Sequence, residues 1–479
     1  MPSRRVVVEG ALALALCVVV AATLQWHTGA PLDADTAYHV AVGRLIRAHG
    51  ILHEFPWTPF SWLAKHYADK ELAFHLALAG VAGLPWVDAA RVVGTLWGAG
   101  LLLVFFFILR AERVRFPAAW AILPLASASV FLFRFVLVRP HVASIGFAAV
   151  ILWACVRRRL GVVAVASALY PWFYVGWTLA LAMAIVAEIA RMSVRERPEW
   201  KPLAAVVAGL TIGIALHPNA ANLLRFTWIQ SVDVLVRRAW GRDALLELGD
   251  EFRAFSPAEW ATLLLGASVA AVAAAVLAWR SRDATTRAFC LAALCFGALT
   301  IRTARFAEYF VPLSVVALAL GSRFVAWRWF PLATAGVLVA CAAPATAQFV
   351  EDSGQATELL TPDVGARLAG AIPPGAQVFT CEWGHTGTMM LALPERRFIV
   401  ALDPTFFYLN DPDLYRTWFE LPRDPPPHPS EAIRQRFGAR FVLCRYDQRF
   451  RRFFNRLALD PGTRPISVDA GWEAYDLGE

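Results

Sequence analysis

Charge is what this sequence lacks. Only 17% of its 479 residues are Asp, Glu, Lys or Arg, where a soluble globular protein carries about 25%. Cysteine is sparse, and none of the 7 stands in a CxxC pair, so the paired-cysteine metal and redox motifs are absent. There is no internal repeat, and a secondary transporter builds its midplane site from two related halves. No soluble segment gathers basic residues into a patch, so the formal charge of +8 does not point to nucleic acid. What is present instead is apolar sequence: 58% of residues are hydrophobic and the mean hydropathy is +0.51. The composition and the long apolar runs give a polytopic α-helical membrane protein.

Residues 6–26, preceded by Arg4 and Arg5, read as a retained first helix. The apolar stretch of a cleaved signal peptide is shorter, about 7–15 residues. Further runs cover 89–110, 117–133, 141–156, 160–174, 176–190, 202–216, 258–279, 285–301, 307–321 and 330–349. Together they predict about 11 crossings of a bilayer. Residues 72–85 are also apolar, but Gly80, Gly83 and Pro85 interrupt them, which predicts a short or re-entrant helix at the outer face. If the first helix runs outward, the inside connections hold Arg110, Arg113 and Arg115; Arg157, Arg158 and Arg159; Arg191, Arg195, Arg197 and Lys201; Arg280 and Arg282; and Arg323 and Arg328. All are short and basic, as the positive-inside rule requires. The expected organisation is a transmembrane domain at 1–349 with an outer loop at 27–71, then a small extracytoplasmic α/β domain at 350–479. That tail alternates strand-like runs (AQVFT, RRFIVAL, ARFVLCR, TRPISV) with helical patterns such as SEAIRQRFG. Cys381 and Cys444 fall in it, and a disulfide between them is open if the tail lies outside.

Hydrophobic collapse does not ask for the stretch from Asp33 to Glu71, so chemistry is expected there. Asp33 and Asp35 on an extended segment would both face a divalent cation, Mg²⁺ or Mn²⁺ by their hard oxygen donors, or one would act as a base. The alternative is helix capping by Asp35 or Thr36. The helix after them looks amphipathic and suited to the membrane surface. Tyr38 and His39 follow the carboxylates, and Glu71 closes the loop. His39, His53, His66 and His75 lie in this region, where a zinc site is conceivable, but no pair has the close spacing of a known zinc motif, so most read as interfacial hydrogen-bonding residues. Trp57, Phe60, Trp62 and Tyr67 fit an interfacial aromatic belt or a sugar-stacking surface. Two further clusters sit at outer helix ends: Arg134, Arg139 and His141 in FLFRFVLVRPHV, and Arg302 and Arg305 in TIRTARFAEYF. Charges set in apolar sequence usually face a bundle interior or an aqueous cavity, and the planar fork of arginine suits phosphate. His217, Pro218, Asn219 and Asn222 read as a helix termination.

The run DADTAYHVAVGRLIRAHG resembles the first-loop signature of bacterial GT-C membrane glycosyltransferases, relatives of the aminoarabinose transferase and protein O-mannosyltransferase families. Their pattern, roughly D-x-D-x-x-W-H-x-A-x-G-R, is matched by Asp33, Asp35, Tyr38 in place of Trp, His39, Ala41, Gly43 and Arg44. Similar family elements are YADKEL with Glu71, FRFVLVRPH, LHPNAAN, and a tail strand followed by Trp383 and Gly384 and a strand ending at Asp403. The sequence departs from the pattern at LYPWFYVGW near Tyr170, where the family often has Trp-x-Asn-x-His, and at His385, where a second Gly is usual. The resemblance implies an inverting transferase that moves a sugar from a polyprenyl-phosphate donor to a glycan, lipid or protein acceptor at the outer face of the bacterial cytoplasmic (inner) membrane. Asp33, Asp35 and Glu71 would be its catalytic residues; Tyr38, His39, Arg134, Arg139, His141, Arg302 and Arg305 would bind substrate. A non-catalytic scaffold presenting a lipid-linked glycan is the alternative, and it would leave the carboxylates and arginines scattered.

Overall fold

The computed structural model describes residues 4–27, 33–239, 246, 248–353, 360, 362–401, 403–468 and 471–478. Each predicted apolar run falls on a helix or on a bent pair of helices. Helix α1 spans Arg4–His27, α2 Ala34–His49, α3 Leu63–His66, α4 Leu72–Gly80 and α5 Trp86–Ala111. Among the described residues, 5 helices are long and apolar enough to cross a membrane, or up to 7 if each bent pair is one span, and shorter apolar helices lie at His141–Val156, Leu160–Phe173, Lys201–Ala215 and Ala284–Thr300.

The bent pairs correct the expectation of straight runs at 117–133 and 258–279. Pro117–Ala126 and Ser129–Val136 meet at 97°, and Pro257–Leu263 and Leu265–Ser281 at 77°. In the first, Pro124 has no N–H to give, the Ser127 hydroxyl donates to the Pro124 carbonyl at 2.9 Å, and Ala128 is extended at φ −160°. In the second, the break falls at Leu264, φ −121°. Arg134, just after the first bend, is 9% exposed.

The chain from residue 362 onward forms helices and a five-stranded mixed sheet: β1 Gln377–Phe379, β2 Arg397–Phe398, β3 Phe441–Arg445, β4 Arg464–Ile466 and β5 Trp472–Asp476. The order is β2-β1-β3-β5-β4, parallel from β2 through β3 and antiparallel beyond. Cys381, just after β1, and Cys444, in β3, are joined in a disulfide.

This part of the chain covers the outer loop, and two expectations change as a result. Residues Thr36 to Gly43 of α2 are buried on every side, so the helix is an internal element and not a surface-lying one. The aromatic belt is internal too: Trp57 and Tyr67 are 1% and 2% exposed. The Trp57 indole donates to the Pro394 carbonyl at 2.7 Å, the Phe398 amide to Trp57 O at 2.6 Å, and the Trp62 amide to Phe406 O at 3.1 Å. Packing is the larger cohesive term. Phe55 and Phe74, 1% and 0% exposed, contribute roughly 1.5–3 kcal/mol each, against about 0.5–1.5 kcal/mol net for a hydrogen bond.

Two glycines let neighbours close on α2. At Gly43 a Cβ would lie 2.6 Å from the Leu78 Cβ of α4, and at Gly387 it would lie 2.0 Å from the Ala34 carbonyl oxygen. The second obstacle is backbone and cannot rotate away. Gly387→Ala is therefore expected to cost about 1–3 kcal/mol, read as a lowered melting temperature in detergent. Gly384→Ala, with nothing within 4 Å, should leave it unchanged; equal melting of the two variants would contradict the close approach.

Candidate active site

A cavity of about 720 Å³ lies where the start of α2, the turn after the bent pair, the loop 248–252, the start of the 304–322 helix and the Trp383–Gly384 turn converge. Asp33 is the N-cap of α2: its Oδ1 accepts from the Thr36 amide and hydroxyl at 2.8 Å each. The cap is thus Asp33 rather than Asp35 or Thr36, because the helix begins at Ala34. The other oxygen of Asp33 pairs with Arg139, whose Nη1 also lies 2.8 Å from Asp35 Oδ2. Arg139 leaves the turn before Pro140, where the chain has no helical ladder and the guanidinium can reach across to α2.

Glu251 is the second junction. Its carboxylate lies 2.8 Å from Arg134, 2.7 Å from Arg305 and 3.8 Å from Arg139. Arg134 also donates to Glu308 from Nη2 at 2.8 Å and from Nε at 3.1 Å, and Arg305 donates to the Tyr174 hydroxyl at 2.5 Å. His141, 2% exposed, donates from Nε2 to the Arg134 carbonyl at 2.9 Å. Buried charge pairs of this kind are costly to break, about 3–5 kcal/mol when one partner is removed, so the network holds its own geometry.

Of the sequence-derived candidates, the cavity wall takes in Asp33, Asp35, Tyr38, His39, Glu71, Arg134, Arg139, His141 and Arg305. Arg302 is not among them. It ends the helix Ala284–Arg302, and the extended Thr303 turns the chain, leaving Arg302 exposed and outside the cavity while Arg305 enters it. Sequence reasoning missed Glu251, Glu308, Tyr174, Lys70 and Gln230. Glu308 had a signal, a carboxylate three residues after Arg305 in apolar sequence; Glu251 had none. Asn219, read as a helix stop, also secures the outer loop: its side chain accepts from the Asp69 amide at 3.2 Å and donates to the Leu52 carbonyl at 2.9 Å.

Burial works against ionisation of both aspartates, with opposite outcomes. For Asp33 the Arg139 guanidinium and the two Thr36 donors outweigh it and hold the carboxyl below its usual range. For Asp35 burial prevails over Arg139, helped by repulsion from Asp33, Glu251 and Glu71, and its pKa is raised. The neighbouring carboxylates thus divide into a permanent anion and a group with the basicity to accept a proton.

The Asp33–Asp35 pair does not fit a divalent cation in this arrangement. One Asp33 oxygen serves the helix cap, and Arg139 stands between the remaining oxygen and Asp35. An ion would have to take the place of the guanidinium.

Structures with the same course of helices are known. An archaeal oligosaccharyltransferase, AglB from Archaeoglobus fulgidus, solved with an inhibitory peptide and a dolichol-phosphate, superposes with a TM-score of 0.61 at 12% identity over 100% of this chain and 75% of its own. ArnT from Cupriavidus metallidurans gives 0.58 at 13% identity over 97% of this chain and 98% of its own. The chain has the GT-C fold. The mycobacterial arabinofuranosyltransferase AftD gives 0.55 at 18% identity over 100% of this chain, which spans 40% of its length. No family model and no curated protein matches the sequence. What is shared across these GT-C structures at such identities is the fold.

The divided carboxylates can be read directly by infrared difference spectroscopy of the purified protein during an acid titration. The difference spectrum of wild type minus Asp35→Asn should show one carboxyl protonating above pH 3.8, the ordinary Asp value, and that of wild type minus Asp33→Asn one protonating below it. The reverse assignment would overturn the electrostatic reading.

Proposed function

We propose that the protein is a glycosyltransferase of the GT-C type that moves a sugar from a polyprenyl-phosphate donor to an envelope acceptor at the outer face of a bacterial cytoplasmic membrane. The observation that carries this is the convergence of Asp35 and the arginines Arg134, Arg139 and Arg305 on one cavity. A scaffold that merely holds a glycan has no need of a proton acceptor beside a set of phosphate-binding forks. The polyisoprenoid phosphate in the AglB structure adds weight to a lipid-phosphate donor.

The chemistry is a single displacement with inversion. An acceptor oxygen attacks the anomeric carbon while the bond from that carbon to the phosphate oxygen breaks. The acceptor proton passes to Asp35, and the electron pair of the broken bond leaves with the lipid phosphate. Asp33 stays ionised and, as the α2 cap, fixes the backbone from which Asp35 projects. Arg139 and Arg305 stabilise the charge developing on the departing phosphate. The buried Arg139 Nε, without a protein partner, is one donor for it. Lys70, which donates to Gln230 at 2.9 Å, and Asp403, which accepts from Gln230 at 3.3 Å, offer polar contacts for sugar hydroxyls. On this reading the chain crosses the membrane about 11 times with its N-terminus inside, so that the cavity and the 350–479 region would lie outside.

The test is transfer by the purified protein from a panel of polyprenyl-phosphate sugars. Asp35→Asn should lower kcat by about 10²–10⁴-fold, the usual worth of a general base, with donor binding retained. Because Asp35 must be deprotonated and its pKa is raised, the wild-type rate should fall on acidification at a pH above the ordinary Asp range. Saturable lipid-phosphate binding without turnover of any donor would sink the enzyme reading in favour of the scaffold.

A further inference from the structure

Behind the Asp35 wall is a second group that the displacement does not use. His39 on α2, Glu71 just before α4 and His75 within α4 are 5%, 5% and 0% exposed. One ligand atom from each lies within 4.8 Å of the others. His39 Nδ1 is 2.8 Å from His75 Nε2 and 3.8 Å from Glu71 Oε2. The close crossing of α2 on α4 at Gly43 brings the two imidazoles to 5.1 Å between ring centroids, tilted by 39°.

The tautomers are fixed by a fourth residue. Asp69, 1% exposed, takes the His75 Nδ1 proton on both oxygens, each at 2.8 Å. It is itself steadied by the Glu71 amide at 3.1 Å. His75 therefore turns the lone pair of Nε2 toward His39, whose Nδ1–H donates to it at 2.8 Å; a bound cation would take the place of that proton. A carboxylate behind a histidine is the usual support of a metal-ligating imidazole. His39 stands in the same buried group and would ligate through Nδ1, its single ring proton then resting on Nε2. Charge favours a cation as well: two buried carboxylates, Asp69 and Glu71, face one lysine, Lys70, 3.6 Å from Glu71, and buried carboxylates need a counter-charge.

We propose that His39, Glu71 and His75 form a zinc site, with Asp69 as the supporting carboxylate and the open coordination position facing the cavity. Two imidazoles and a carboxylate are a donor set for Zn²⁺ rather than for Mg²⁺ or Ca²⁺. Tetrahedral ligands at zinc–nitrogen distances stand about 3.3 Å apart, so the imidazoles need separate by only about half an ångström, within the reach of side-chain rotation. His39 and Glu71 line the cavity and His75 does not. The ion would therefore be held from behind and open in front, where water or an oxygen of a bound phosphate or sugar would complete it. Four residues from Glu71 to His75 and 36 from His39 to His75 are not a zinc spacing readable from sequence. The fold supplies the proximity.

The test is metal content, which requires no turnover and is thus independent of the transferase reading. Full-length protein, dialysed against zinc and then against metal-free buffer, should retain about one zinc per chain by mass spectrometry. Its cobalt form should show the visible absorption of a tetrahedral site. His75→Gln and His39→Gln should lose the bound metal. Asp69→Asn, which keeps all three ligands, should weaken binding by about 10–100-fold in competition with a chelator; this variant carries the test if a histidine variant fails to fold. Asp33→Asn with Asp35→Asn should bind as wild type. No tightly held zinc in the wild type, zinc retained by both histidine variants, or zinc lost with the aspartate pair would each overturn the site.

Discussion

Arg139 holds the segments around the cavity in register. Its guanidinium ties the first turn of α2 to the turn after the bent pair, and through Glu251 it reaches Arg134 and Arg305. Four separate stretches of chain therefore meet at partly buried charges. In such surroundings an unpaired charge costs several kcal/mol, so each partner constrains the rest. The outcome is a cavity whose polar wall is set before a ligand enters, the condition under which electrostatic stabilisation acts without reorganisation.

The carboxylate–guanidinium contacts also explain how adjacent aspartates acquire different chemistry. Asp33 is held by a helix cap and an arginine, Asp35 by the arginine alone, its side chain still 41% open to the cavity. One is fixed as an anion by its bonds, and the other is left with burial and like charge. No change of residue type is needed, only two residues' displacement along a helix start.

Much of this was legible in the sequence. Apolar runs and basic loops gave the helices, and Asp33, Asp35, Arg134, Arg139, His141 and Arg305 were visible because charge in apolar sequence is expensive. What was not legible follows from distance along the chain. Arg302 and Arg305 look alike in TIRTARFAEYF, and only the extended Thr303 separates them. Trp57 and Tyr67 carry the signature of an interfacial belt because a window of residues cannot report cover arriving from residues 386–406. Glu251 lies in a polar loop where a carboxylate is unremarked, and its three arginine contacts come from two distant regions. The bends at 128 and 264 follow from one local backbone torsion each, which hydropathy does not register.

The cover over α2 has a bearing on biosynthesis. The aspartates emerge from the ribosome early, yet the helix that closes on Ala34 and Tyr38 is made more than 300 residues later, as is the Pro394 carbonyl that receives Trp57, 337 positions away. Throughout translation the nascent outer loop carries its aromatic face uncovered, while chains in general fold N-terminal parts first. The cavity is then among the last features of the protein to close, and any chain released before residue 386 has the carboxylates without the wall that buries them.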